Sequence, residues 1–181
     1  MRSRSTLTLA LVASAMLTVS ACSVSETLDA PTCTTSSSTP LISVQSVPSA
    51  ELIMCLDPLP AGWEAATVDI GHEGTFVTFD SDRAGRSAAK VRFEASCDIG
   101  DATQTPTEFD DVRRFEWILE VAPRFRAKRY YVFEGGCVTW EFDFDADAPA
   151  GMAVELGNTL RFFSRDDINA QFRDSFIEED L

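Results

Sequence analysis

After Glu51 the chain alternates apolar and polar residues with a period of two. Trp63 to Ile70, Thr75 to Phe79, Ala89 to Cys97, Phe115 to Val121, Arg129 to Phe133 and Cys137 to Phe144 all follow this rhythm, which predicts strands with one buried face. In the fourth segment Phe115, Trp117, Leu119 and Val121 alternate with Arg114, Glu116, Ile118 and Glu120. This favours a strand, although Phe109, Val112, Phe115 and Leu119 would also suit one face of a helix. Gly71-His72-Glu73-Gly74 joins the first two segments and Glu134-Gly135-Gly136 the last two, and links this short connect antiparallel neighbours.

Towards the C-terminus the rhythm changes. Ala150 to Leu160 has helical character, Leu160 to Phe163 reads as a last strand, and Ser164 starts a helix. Asp167 stands three residues after Ser164 as in a capping box, and Asp166 and Asp167 lie where the helix dipole favours acids. Ile168, Phe172 and Phe176 form an apolar stripe suited to packing on the parent sheet. The expected fold is α+β, a twisted antiparallel sheet of about six or seven strands with one or two C-terminal helices packed on one face.

The segment before Glu51 has a different composition. Residues 22–50 are rich in Ser, Thr and Pro and too poor in large apolar residues to build a core. They read as a tether of roughly 30 Å span, with an edge strand at Leu41 to Val47 as the alternative. Residues 51–181 are long enough for a single domain. Residues 1–21 begin with Arg2 and Arg4 and continue as an apolar run from Leu7 to Val19. This is the pattern of a secretory signal peptide, and it is shorter than the roughly 20 residues of a membrane span.

The signal closes on Val19-Ser20-Ala21-Cys22, which resembles the lipobox of bacterial lipoproteins, with Val19 where the commonest form has Leu. The resemblance implies lipid attachment at Cys22 and anchorage on the extracytoplasmic face of the cell membrane. With Cys22 carrying lipid, four of the five cysteines remain. An even set in an oxidising compartment points to disulfides. Among three possible connectivities, Cys33–Cys55 with Cys97–Cys137 fits best, the first pair flanking the start of the domain and the second lying on expected strands. Zinc is disfavoured because no two cysteines have close ligand spacing and His72 is the sole histidine.

The formal net charge is −14, and removal of Arg2 and Arg4 with the signal makes it −16. Such a field repels nucleic acid, which is excluded as a partner. Asp143-Phe-Asp145-Ala-Asp147 suggests a calcium loop, but Ala148 stands where an EF-hand needs Gly and Val154 where it needs Glu. An outward acidic strand face is the simpler reading, with no metal and no cofactor. Asp80-Ser81-Asp82 and Asp98-Ile-Gly-Asp101 suit turns, though paired carboxylates also serve glycoside hydrolases. His72 lies in a Gly-flanked turn without a nucleophile motif, so no catalytic residue is assigned.

One segment opposes the overall charge. Arg124, Arg126 and Lys128 alternate beside Arg129, and on an extended segment the first three share a face. These four are candidate anion-docking residues, since arginine suits bidentate capture of carboxylate or phosphate. Pairing with the chain's own acids is the plainer alternative. The three tryptophans and 13 phenylalanines read as core, although an apolar cleft between sheet and helix would hold a lipid.

Arg129-Tyr-Tyr-Val-Phe-Glu-Gly-Gly-Cys-Val-Thr-Trp-Glu-Phe and the later Leu-Arg-Phe-Phe-Ser-Arg-Asp-Asp resemble segments of uncharacterised actinobacterial envelope proteins. Leu59-Pro-Ala-Gly-Trp63 is similar to the start of PsbP-like lipoprotein domains. The resemblance implies an exported, anchored domain and transfers no catalytic residue. The expected function is a binding or accessory module of the envelope, not an enzyme, with an envelope protein or anionic polymer as partner. The alternatives are a carrier or sensor for an apolar ligand and, third, a hydrolase.

Overall fold

The computed structural model describes residues 30–32 and 44–170. They form a mostly antiparallel β fold with few, short helices. Ten elements follow in the order β1 (Leu52–Leu56), β2 (Trp63–Gly71), β3 (Gly74–Ser81), β4 (Gly85–Glu94), β5 (Thr103–Thr105), β6 (Arg113–Glu120), β7 (Arg126–Phe133), β8 (Gly136–Asp143), α1 (Met152–Gly157) and β9 (Leu160–Ser164). Seven strands make one sheet in the order β2-β3-β4-β8-β7-β6-β5, while β1 and β9 pair separately. Two meanders, β2-β3-β4 and β5-β6-β7-β8, are thus sewn together by β4 and β8, which run antiparallel with Val91 opposite Trp140.

The inner face of this sheet carries the core. Val77 and Phe79 of β3, Val91 and Phe93 of β4, Val138 and Trp140 of β8 and Tyr131 of β7 are almost wholly buried, and the pairing register puts them on one side. Rings stack on this face, Phe79 on Trp140 across strands at 5.5 Å and Trp140 on Phe142 along β8 at 5.7 Å between centroids. Burying each such side chain stabilises the fold by about 1.5–3 kcal/mol. Above them lie Met152 and Leu156 of α1 and the β1–β9 ribbon. The ribbon is seated by Phe162, whose ring meets Phe109 at 5.0 Å and Phe133 at 5.2 Å.

Both ends of the described chain are tied to this ribbon. Thr32 bridges to Leu56, whose N–H donates to Pro31. A helical turn at 44–46 stands where an edge strand was the alternative, and residues 41–43 lie outside the described residues. Arg165, just after β9, donates to the carbonyls of Ala50, Val44 and Val47 at 2.6, 3.0 and 2.6 Å. The β7–β8 hairpin is also held there, with Ser49 Oγ donating to the Gly135 carbonyl at 2.7 Å. Gly135 has φ of +67°, and a Cβ would strike the backbone of Ser49, so this turn requires glycine.

The C-terminal helical turns occupy 165–170, with the Asp166 N–H donating to Ser164 Oγ at 3.2 Å. Ile168 is buried, whereas Phe172 and Phe176 of the expected stripe lie outside the described residues, as do Cys22, Cys33 and the whole signal segment. No helix among the described residues is long and apolar enough to cross a membrane. Cys97 and Cys137 form a disulfide across 40 residues of chain. Cys137 is in β8, but Cys97 follows the end of β4, so the expected strand through Cys97 stops three residues early. Cys55 is also disulfide-bonded.

Candidate binding face

The opposite, outer face of the sheet carries no helix among the described residues. Between β4 and β5 the chain crosses this face as a strap at 95–102, pinned to β8 by the Cys97–Cys137 disulfide. Asp98 Oδ1 accepts the Gly100 N–H at 2.9 Å, so the Asp98 side chain shapes the strap's turn. Beneath it Tyr130 and Thr139 are buried although they point away from the core. Beyond the strap the face lies open and is dominated by charge.

The register explains which charges meet. Arg126 stands opposite Asp143, and Lys128 opposite Glu141, which in turn stands opposite Lys90 of β4. Arg124, just before β7, reaches the same acid, its Nη2 donating to Asp143 Oδ1 at 2.8 Å, and Arg126 Nε lies 3.7 Å from that oxygen. Glu141 Oε1 accepts from both Arg92 Nη2 and Lys128 Nζ at 2.8 Å. Burial pushes the Glu141 carboxyl up, but the Lys128 hydrogen bond and the charges of Arg92, Lys128 and Lys90 outweigh it and hold the group below the ordinary glutamate value.

These residues line a furrow of about 380 Å³. Its cations are Arg86, Lys90, Arg124, Arg126 and Lys128, and its acids Glu141, Asp143 and Asp145. Arg86 and Lys90 have no ion pair among the described residues, and each of Asp143 and Glu141 is shared by two cations. The furrow is therefore locally cationic in a chain of net charge −14. Such an excess attracts a carboxylate or phosphate at short range.

Of the four candidate anion-docking residues, Arg124, Arg126 and Lys128 come together here, each already touching an acid. Arg129 does not join them. Period-two geometry turns it to the inner face, where it is 8 % exposed and its Nε donates to Glu116 Oε1 at 2.6 Å. Its guanidinium also occupies the space where a Cβ on Gly157 would sit, so the end of α1 closes over it. Arg86, Lys90 and Arg92 escaped the sequence reading because they lie far from β7 in the chain and only strand pairing brings them near. Their signal was present, since Arg86, Lys90 and Arg92 are all even-numbered positions of one strand.

Trp117 is the other residue placed differently from expectation. Trp63 and Trp140 are core, but Trp117 is 40 % exposed on the outer face. The remaining sequence candidates are spent locally or stand apart. Asp80 Oδ1 accepts the Ser87 N–H at 2.7 Å, His72 sits in the β2–β3 turn, and no group of three or more His, Cys, Asp or Glu is placed to hold a metal among the described residues. Comparison with known proteins returns no matching family model, no matching curated protein and no matching solved structure.

Proposed function

We propose that this chain is a lipid-anchored extracytoplasmic binding module that engages an anionic component of the cell envelope through the furrow on its outer sheet face, and that it is not an enzyme. The observation that carries the reading is the cationic excess of one furrow in an otherwise acidic chain: Arg86 and Lys90 without an ion pair among the described residues, with Asp143 and Glu141 each divided between two cations. The address rests on Arg2 and Arg4, the apolar run to Val19 and the cysteine of Val19-Ser20-Ala21-Cys22. The Cys97–Cys137 disulfide supports an oxidising compartment. A carrier of apolar ligands has less support, because the inner face is filled by its own aromatic rings. A carboxylate-pair hydrolase also has less, since the turn acids Asp80 and Asp98 accept backbone N–H groups.

Two measurements test the reading. Cys22→Ser removes the acceptor thiol, so the protein should leave the membrane fraction, and retention after a high-salt wash would refute the anchor. The combined Arg124→Gln, Arg126→Gln and Lys128→Gln variant should bind anionic cell-wall polymer more weakly at a nearly unchanged melting temperature, since Glu141 keeps Arg92. Unaltered binding would refute the furrow.

A further inference from the structure

Strand pairing lays out a single row across the outer face: Trp117 of β6 opposite Lys128 of β7, Lys128 opposite Glu141 of β8, and Glu141 opposite Lys90 of β4. Neighbouring strands are about 4.8 Å apart. An exposed indole ring therefore lies one strand from the first cation of the row and about 14 Å from the last. A second depression, of about 410 Å³, opens on the tryptophan side under the strap, and it shares Lys128 with the cationic furrow. The two form one path from the aromatic ring to the basic cluster.

The floor of that second depression is polar and under-satisfied. Thr139 is 1 % exposed, and its Oγ1 has no hydrogen-bond partner among the described residues. The Arg92 Nε beside it makes no hydrogen bond among the described residues and lies 3.7 Å from Glu94 Oε2. A buried hydroxyl left without a partner is unfavourable, and a ligand hydroxyl seated there would supply the missing bond. The strap passes the ring edge of Trp117, whose Cζ3 lies 4.0 Å from the position of a Cβ on Gly100, and the residue stays 40 % exposed. An aromatic plate beside a floor that holds an unpartnered hydroxyl and an arginine suits a molecule with both C–H faces and hydroxyl edges.

We infer that the ligand is an acidic saccharide, one ring stacked on Trp117 with hydroxyls toward Thr139 and Arg92, and its carboxylates on the cations from Lys128 towards Lys90 and Arg126. This rests on the outer face being the binding face, and it adds the substrate class. A small apolar molecule would leave the charges unused. An inorganic polyanion would use the charges and leave Trp117 and Thr139 idle.

The test titrates the full chain with oligogalacturonate, with neutral cello-oligosaccharide and with tripolyphosphate, following binding by calorimetry and the shielding of Trp117 from acrylamide quenching. Oligogalacturonate should bind at least tenfold more tightly than either control and shield the indole. Trp117→Ala should weaken oligogalacturonate about tenfold while leaving tripolyphosphate unchanged, and Trp117→Phe should retain most of the affinity. Thr139→Val should weaken the saccharide, and Thr139→Ser should retain it, which separates a lost hydrogen bond from misfolding. If oligogalacturonate and tripolyphosphate bind alike and Trp117→Ala alters neither, the saccharide assignment falls while the outer-face reading stands. If neither polyanion binds, both fall.

Discussion

Arg129 and Glu116 face each other across β7 and β6 on the inner side of the sheet, the arginine Nε donating to Glu116 Oε1 at 2.6 Å. Arg114 Nη2 donates to the same oxygen at 2.9 Å. Burial pushes the Glu116 carboxyl up, but the hydrogen bonds and charges of Arg129 and Arg114 prevail and hold it below the ordinary glutamate value. A group whose folded value is depressed stabilises the fold above its unfolded pKa, about 4.3 for glutamate, and loses that contribution as pH falls through the folded value. Glu141 behaves alike. Urea midpoints should therefore be flat from neutral pH down to about 5 and fall below that.

Arg129→Ala should cost about 3 kcal/mol, the lower end for breaking a buried pair, because Glu116 keeps Arg114. The triple variant Arg129→Leu, Glu116→Leu and Arg114→Leu should cost less than the single one, since no charge of the cluster is then stranded. Chemical denaturation of both variants decides it. A single variant within about 0.5 kcal/mol of the parent would mean the pair is not a structural element.

Reduction should act on strap and stability together. The Cys97–Cys137 bridge closes 40 residues, and a loop of that length is worth roughly 4 kcal/mol when its bond constrains the unfolded chain. Cys97→Ala with Cys137→Ala should lower the urea midpoint accordingly and release the cover over Tyr130 and Thr139. Amide exchange at 95–102 would report the second effect, and unchanged protection would show that the strap holds without its bond.

Arg165 should not be replaceable by lysine. Its planar fork reaches the carbonyls of Ala50, Val44 and Val47 at once, and an ammonium offers a point charge without that geometry. Hydrogen bonds to a charged donor contribute about 1.5–3 kcal/mol each. Arg165→Lys, losing at least one of them, should destabilise by about 2 kcal/mol, measurable by thermal or urea melting.

Among the described residues the outer stretch of β6 is an unguarded edge. β5 pairs it only from Arg114 to Glu116, and beyond that Trp117, Ile118, Leu119 and Val121 are exposed. Edges with apolar residues favour strand addition, and a lysine blunts them. Leu119→Lys should reduce concentration-dependent association in light scattering while shifting stability by no more than about 0.5 kcal/mol. A large loss of stability would place Leu119 in a packed environment instead.

Alternation revealed those strands whose two faces differ. β1 escaped it because Leu52-Ile53-Met54-Cys55-Leu56 is apolar throughout, and such a run is buried without declaring a period. β5 escaped because Thr103-Gln104-Thr105 has no apolar residue at all. β6 was legible as a strand but not in its orientation. Phe115 and Trp117 stand on the outer face, Phe115 buried and Trp117 exposed there, while Arg114 and Glu116 turn inward to Arg129. A pattern of polarity names two faces and does not say which one meets the core. The basic cluster was half legible for a related reason: β7 supplied Arg126 and Lys128 from local spacing, but Lys90 and Arg92 arrive through the β4–β8 register, which no local pattern encodes.

The tie between Thr32 and Leu56 gives the domain a front and a back. The incoming chain joins β1, and β1 lies with β9 over the inner face of the large sheet. A pull exerted through Ala30 thus travels into the ribbon and onward to the Arg165 clamp, and bypasses the strands that build the furrow. In the proposed anchored module, load and ligand would lie on opposite sides of the sheet, so tension on the anchor would not deform the furrow.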